Sequence, residues 1–150
     1  MQVYIDQSGK VADTQIITIL AFSNSITYSI LISTIVKRKI VKILSKLQNK
    51  KQLYIKLFSI LIFLLIKKYY KKLNSIIIDK EYWGKENEIK IHLINLFKLS
   101  KIFIKPEIIH FTQIGKKSNA HNVAITAFRK KQANETIHLN QILPYLLPKK

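Results

Sequence analysis

Acidic residues are scarce in this chain, so the places where they stand carry information. There are 8 Asp and Glu against 26 Lys and Arg, which gives a formal charge of +18 over 150 residues. Asp6 follows the β-prone run VYI, and Asp79 closes the apolar run SIII. A carboxylate that ends an apolar run is costly to desolvate unless something pairs with it. If the two runs are neighbouring parallel strands, Asp6 and Asp79 meet at their carboxyl ends, about 5 Å apart by strand spacing. That edge is where open sheets bind ligands. Two carboxylates held together repel, and a hard divalent cation relieves the repulsion; oxygen donors select Mg²⁺ or Mn²⁺. Glu81, two residues past Asp79, is a further candidate ligand. The competing reading pairs each acid with a nearby lysine.

The elements that must bring these residues together follow from apolar periodicity. Residues 3–7 (VYIDQ), 14–22 (TQIITILAF) and 26–32 (ITYSILI) read as three strands joined by the turns SGKVAD and SNS. Short turns of this kind make an antiparallel meander. From Thr34 to Leu47 apolar residues fall at helical spacing with a basic face, and a second helix is expected from Leu53 to Leu73. SIIID at 75–79 reads as a buried strand and 86–99 as a helix. Residues 107–114 (EIIHFTQI) read as a strand, and 119–131 as a helix with Ser118 as its N-cap. The order β-β-β-α-α-β-α-β-α implies a mixed sheet whose first and fourth strands are parallel neighbours, joined by a helical crossover. Pro144 and Pro148 argue against a helix beyond Ala133, so residues 133–150 are expected to be a weakly specified basic tail on a domain spanning 1–132.

Composition bounds the function classes. At this size one domain buries roughly 70% of its unfolded surface, and 48% hydrophobic residues exclude a disordered basic tail. With no cysteine, disulfide scaffolds, Cys-based zinc sites and thiol nucleophiles are all excluded. The start MQVYIDQSGK carries no apolar signal core, which points to a cytoplasmic protein. The most apolar stretch, LFSILIFLLI at 57–66, is flanked by lysines and is shorter than the ~20 residues a membrane span needs, so a buried core helix is expected. Lys dominates over Arg (only Arg38 and Arg129), and Ile and Asn are abundant, as in a chain encoded by AT-rich sequence. The charge excess nonetheless favours polyanions through counterion release.

YIDQSGK on the first strand, the meander, and Asp79 at the end of the fourth strand resemble the ribonuclease H-like superfamily, which includes RNase H, RuvC-type resolvases, transposases and integrases. The resemblance runs over residues 2 to 130 in element order and implies a mixed five-stranded sheet. It also implies a two-metal nuclease acting on nucleic-acid phosphodiesters, with two Mg²⁺ or Mn²⁺ ions held by Asp6 and Asp79, assisted by Glu81 or His121. A residue on the last helix completes such sites, and here that helix offers His121 but no carboxylate. His121 is thus the third catalytic candidate with Asp6 and Asp79. It stands near a helix N-terminus beside Lys116 and Lys117, a setting suited to phosphate oxygens. Lys10, Lys116 and Lys117 are candidate nucleic-acid contacts, with Tyr82 and Trp83 as candidate stacking platforms. The alternative use for Tyr82 and Trp83 is a hydrophobic plug under the loop.

GKKS at 115–118 is not a phosphate loop, because its required upstream glycine is His110. The missing carboxylate keeps a non-cutting nucleic-acid binder in view as a second reading. A basic scaffold or membrane-surface protein, using the Lys-rich helices, is the third.

Overall fold

Alternation along the first strand sets the architecture. The computed structural model describes residues 1–116 and 118–147. In β1 (Gln2–Ser8), Val3 and Ile5 are buried in the main core, while Tyr4 and Asp6 face the other way. The same alternation runs through β2 (Thr18–Ser23) and β3 (Thr27–Ile32). Leu20, Phe22, Ile30 and Ile32 enter the main core, whereas Ile19, Ala21 and Leu31 form a smaller second core. Both faces of this part of the sheet are therefore covered, which is why β2 reads as an unbroken apolar run.

Two helices follow. α1 (Thr34–Leu44) starts at the Ser33 side chain, which accepts from the Val36 N–H at 3.1 Å. α2 (Lys50–Ile66) is capped by Asn49, whose side chain accepts from the Lys51 N–H at 2.8 Å. From Leu57 to Ile66 every residue of α2 is buried, because the helix lies between the sheet, α3 and α5. Each large apolar side chain removed from water there contributes ~1.5–3 kcal/mol. No helix among the described residues is long and apolar enough to cross a membrane.

After α2 come β4 (Ser75–Asp79), α3 (Glu86–Leu99), β5 (Ile109–Thr112), α4 (Asn119–Lys130), β6 (Glu135–Ile137) and α5 (Leu139–Leu146). The sheet is mixed, in the order β5-β4-β1-β2-β3-β6. The meander β1-β2-β3 is antiparallel; β1 with β4, β4 with β5, and β3 with β6 are parallel. α1, α2, α3 and α5 pack on the main-core face, and α4 covers the opposite face. α4 approaches closely because the residues it lays on the sheet are Ala120, Ala124 and Ala127. Gly9 makes the same approach possible at the end of β1. Its φ is +79°, and a Cβ there would stand 2.2 Å from the Ile17 carbonyl oxygen and 2.8 Å from the Phe128 ring.

Four expectations need correction. The second strand begins at Thr18, not Thr14, because the carbonyls before it are bonded to α1. The buried Lys37 ammonium donates to the Asp13 carbonyl at 2.6 Å and to the Thr18 hydroxyl at 3.0 Å, while Arg38 Nε donates to the Thr14 carbonyl at 3.1 Å. The second helix is α-helical only to Ile66 and continues as a 3-10 turn over Lys67–Lys72. The sheet has six strands where five were expected. The sixth comes from the segment read as a tail, which instead supplies β6 and α5. Glu135 accepts from the Tyr28 hydroxyl at 2.9 Å and pairs with Lys68 at 3.1 Å, and Asn134 accepts from the Ser29 N–H at 2.9 Å. α5 accommodates Pro144 within its short span and buries Ile142 and Leu146 in the main core.

Candidate metal centre

β1 and β4 run parallel in the register Gln2↔Ser75 to Ile5↔Ile78, so the next residue of each strand is the aspartate. Asp6 and Asp79 are thereby set side by side at the carboxyl ends of adjacent strands. The loop leaving β4 returns Glu81 to the same point. One carboxylate oxygen from each of Asp6, Asp79 and Glu81 lies within 4.8 Å of the other two. Four of the five remaining acids are used elsewhere: Glu86 and Glu88 face Lys80 and Lys85, Glu135 faces Lys68, and Asp13 accepts from the Gln15 N–H, while Glu107 lies in the 3-10 turn before β5. Among the described residues, neither Asp6 nor Asp79 is paired with a lysine, which disposes of the competing reading for those residues.

Local bonds hold two of the three carboxylates. Asp6 is 4% exposed. Its Oδ1 accepts from the Gln7 N–H at 2.8 Å, and its Oδ2 lies 3.0 Å from His121 Nδ1. Asp79 Oδ1 accepts from the Ile114 N–H at 2.6 Å, tying β4 to the loop before α4. Burial, and then the negative charge of Asp79, push the Asp6 carboxyl above its ordinary range. Glu81 is pushed up to about 7, chiefly by burial and next by a hydrogen bond shared with Asp79. Glu81 is therefore only partly ionised near neutral pH, and burial likewise disfavours the charged form of Asp6. A divalent cation would reverse that preference by supplying the missing positive charge.

The donor set fits a hard cation, since it consists of carboxylate oxygens on rigid strand ends. A second observation agrees. The Gln7 side chain, buried at the end of β1 close to Glu81, leaves both amide atoms without a well-formed hydrogen bond among the described residues. A buried orphaned amide is costly, and a hydrated cation beside Glu81 would satisfy it. Gln7 was not foreseen from sequence, where it reads only as a polar residue ending a strand.

His121 reaches Asp6 but is not a member of the three-carboxylate cluster. Ser118 caps α4 by accepting from the His121 N–H at 3.0 Å, which sets the first turn of the helix over the end of β1. With Nδ1 toward Asp6, the other ring nitrogen, Nε2, is the atom left for substrate or water.

The basic and aromatic candidates divide. Lys10 and Lys116 are exposed, and Lys117 lies outside the described residues. Trp83 is 64% exposed, with Lys80 Nζ 4.9 Å from its ring centre. Tyr82 corrects the expectation of a stacking platform. Its ring packs on Phe58 with centroids 5.1 Å apart, and its hydroxyl is buried without a partner, so it plugs the loop onto the core. No family model matches the chain, and comparisons with curated proteins and with solved structures find no match.

Proposed function

We propose that this protein is a metal-dependent nuclease of ribonuclease H-like fold, acting on nucleic-acid phosphodiesters in the cytoplasm with Mg²⁺ or Mn²⁺. The observation that carries the reading is the convergence of Asp6, Asp79 and Glu81, three of only eight acids, on one point of a strongly basic molecule. The meander beside a parallel β4, with carboxylates at the shared strand ends, supports the fold assignment. A bound divalent ion would supply positive charge at the scissile phosphate and acidify the attacking water. Asp6, Asp79 and Glu81 would hold and orient it. In the hydrolysis, the water oxygen bonds to phosphorus while one P–O ester bond breaks in line. The water's proton passes to His121 Nε2, and the departing oxygen takes a proton from solvent. The lysines bring the polyanion to the site and position it.

The test is cleavage of labelled RNA and DNA, single-stranded and duplex, with Mg²⁺ or Mn²⁺. The native protein should cut at least one of them. Asp6→Asn and Asp79→Asn should abolish cleavage while leaving affinity within a few fold, and so should His121→Ala. Cleavage that survives Asp6→Asn refutes the site. A specific observation favours one further reading, a binder that does not cut: α4 presents His121 in place of a fourth carboxylate, and that histidine is bonded to Asp6. Tight binding with no cleavage under either metal would select it.

A further inference from the structure

A cavity of about 470 Å³ opens beside the carboxylates, lined by Tyr4, Ser23, Asn24, Ser118, Asn119 and Ala120. It shares its two walls with the candidate centre. Tyr4 stands two residues before Asp6 on the same face of β1, and Ser118 caps the helix that carries His121. Tyr4 pairs in register with Ser23 and is 39% exposed, and among the described residues no other aromatic ring packs on it. Ala120, being small, leaves the floor open.

Among the described residues, the polar groups lining this cavity are neutral. Asn119 donates to the Ser23 hydroxyl and Asn24 donates to the Gln2 carbonyl, which leaves the side-chain carbonyl of each amide as a free acceptor. Ser118 Oγ accepts from the His121 N–H, so its own O–H remains to donate. An aromatic wall with amide acceptors, a hydroxyl donor and, among the described residues, no lining charge suits a planar, neutral, hydrogen-bonding group, and its size is within the usual range for small-ligand pockets.

Resting on the nuclease reading above, we infer that this cavity receives one unpaired nucleobase of the strand whose phosphate lies at Asp6 and Asp79. The base stacks on Tyr4 and turns its edge to Asn24, Asn119 and Ser118. Tyr4 and Asp6 stand two positions apart on the strand, about 6.6 Å, which a single nucleotide spans from base to phosphate. A base held by its face and its edge cannot remain paired, so the substrate is single-stranded, or carries an unpaired nucleotide at the cut.

The experiment measures binding in EDTA, so that affinity is read apart from cleavage. The ligands are twelve-nucleotide RNA and DNA single strands, the corresponding duplexes, and a single strand of the same length without bases. Thermal melting checks each variant, and Tyr4→Leu replaces Tyr4→Ala if the latter does not fold. Tyr4→Ala should weaken single-strand binding about tenfold or more and leave duplex binding unchanged, while Tyr4→Phe should bind as the native protein does. The native preference for base-bearing over base-free strands should shrink in Tyr4→Ala. The stronger loss, on RNA or on DNA, identifies which strand the pocket takes. Equal losses on single strand and duplex, or no preference for bases in the native protein, overturn the pocket and leave the nuclease reading standing. Failure of the native protein to bind any nucleic acid at low salt overturns both.

Discussion

Asp6 is the residue on which most of the chemistry depends, because it belongs both to the carboxylate cluster and to a pair with His121. If the cluster binds a divalent ion, the native protein gains stability by mass action, about 2.7 kcal/mol at ~100 times the dissociation constant. For a chain of this size that is a rise of roughly 5–10 °C in melting temperature. Asp6→Asn should lose the rise, and an equal rise in both proteins would count against the site. Lys37 makes a different prediction. It is 1% exposed and anchors α1 to the β1–β2 connection. Burial lowers its pKa from 10.5 to about 8. The unfolded chain therefore holds this proton more tightly, so its contribution is least favourable below pH 8 and improves between pH 8 and 10.5. Measured as the difference from Lys37→Met by chemical denaturation, native stability should rise across that window, by about 3 kcal/mol at most. A flat difference would mean that the carbonyl acceptors fully offset the burial.

At the scale of elements, the informative pieces are β6 and α5. β6 is three residues long with a single apolar side chain, and α5, though amphipathic, is only eight residues long with Pro144 inside it, so each pattern is too short to stand on its own. β6 is a strand because β3 offers it an edge, and α5 is a helix because α1 and α2 leave a groove for Ile142 and Leu146. Deleting residues 134–150 uncovers that edge together with Ile137, Ile142 and Leu146. The loss should be about 5 kcal/mol or more, from ~1.5–3 kcal/mol for each buried side chain. Chemical denaturation of the 1–133 chain checks it; a midpoint equal to that of the full chain would restore the tail reading. The elements read most accurately, β4 at 75–79 and α3 at 86–99, have continuous or strictly periodic apolar patterns with acids at their ends.

For the molecule as a whole, the charge of +18 is the dominant long-range property. Nucleic-acid affinity should fall with salt on a log-log slope of about −0.7 per single-strand phosphate neutralised, or −0.9 per duplex phosphate. Lys116→Ala should reduce the slope magnitude by about one if that lysine meets a phosphate. The distribution of the charge bears on the third reading. α1 exposes Ile35 and Ile43 among its lysines, and Leu47 is exposed just beyond its end, as a surface-seeking helix would have it. Anionic vesicles that bind the protein tightly while nucleic acid does not would favour that reading over the nuclease.

The sequence by itself determined the α/β class, the meander, the helical periods and the residues worth watching. These depend on short-range pattern: alternation for strands, 3.6-residue spacing for helices, and the cost of leaving a carboxylate at the end of an apolar run. It also carried the expectation that Asp6 and Asp79 meet, since parallel pairing of two acid-ended strands admits few other geometries; that His121 joins them was implied by the resemblance. Three features were decided only by tertiary structure. Gln7 is orphaned beside Glu81 because the strand end is buried there. Tyr82 turns inward because Phe58 offers it a partner. Tyr4 is left facing a cavity because α4 begins at Ser118 and covers the sheet with small alanines. Each depends on what stands opposite a side chain across the fold, and that partner lies tens of residues away in sequence, beyond the reach of any local pattern.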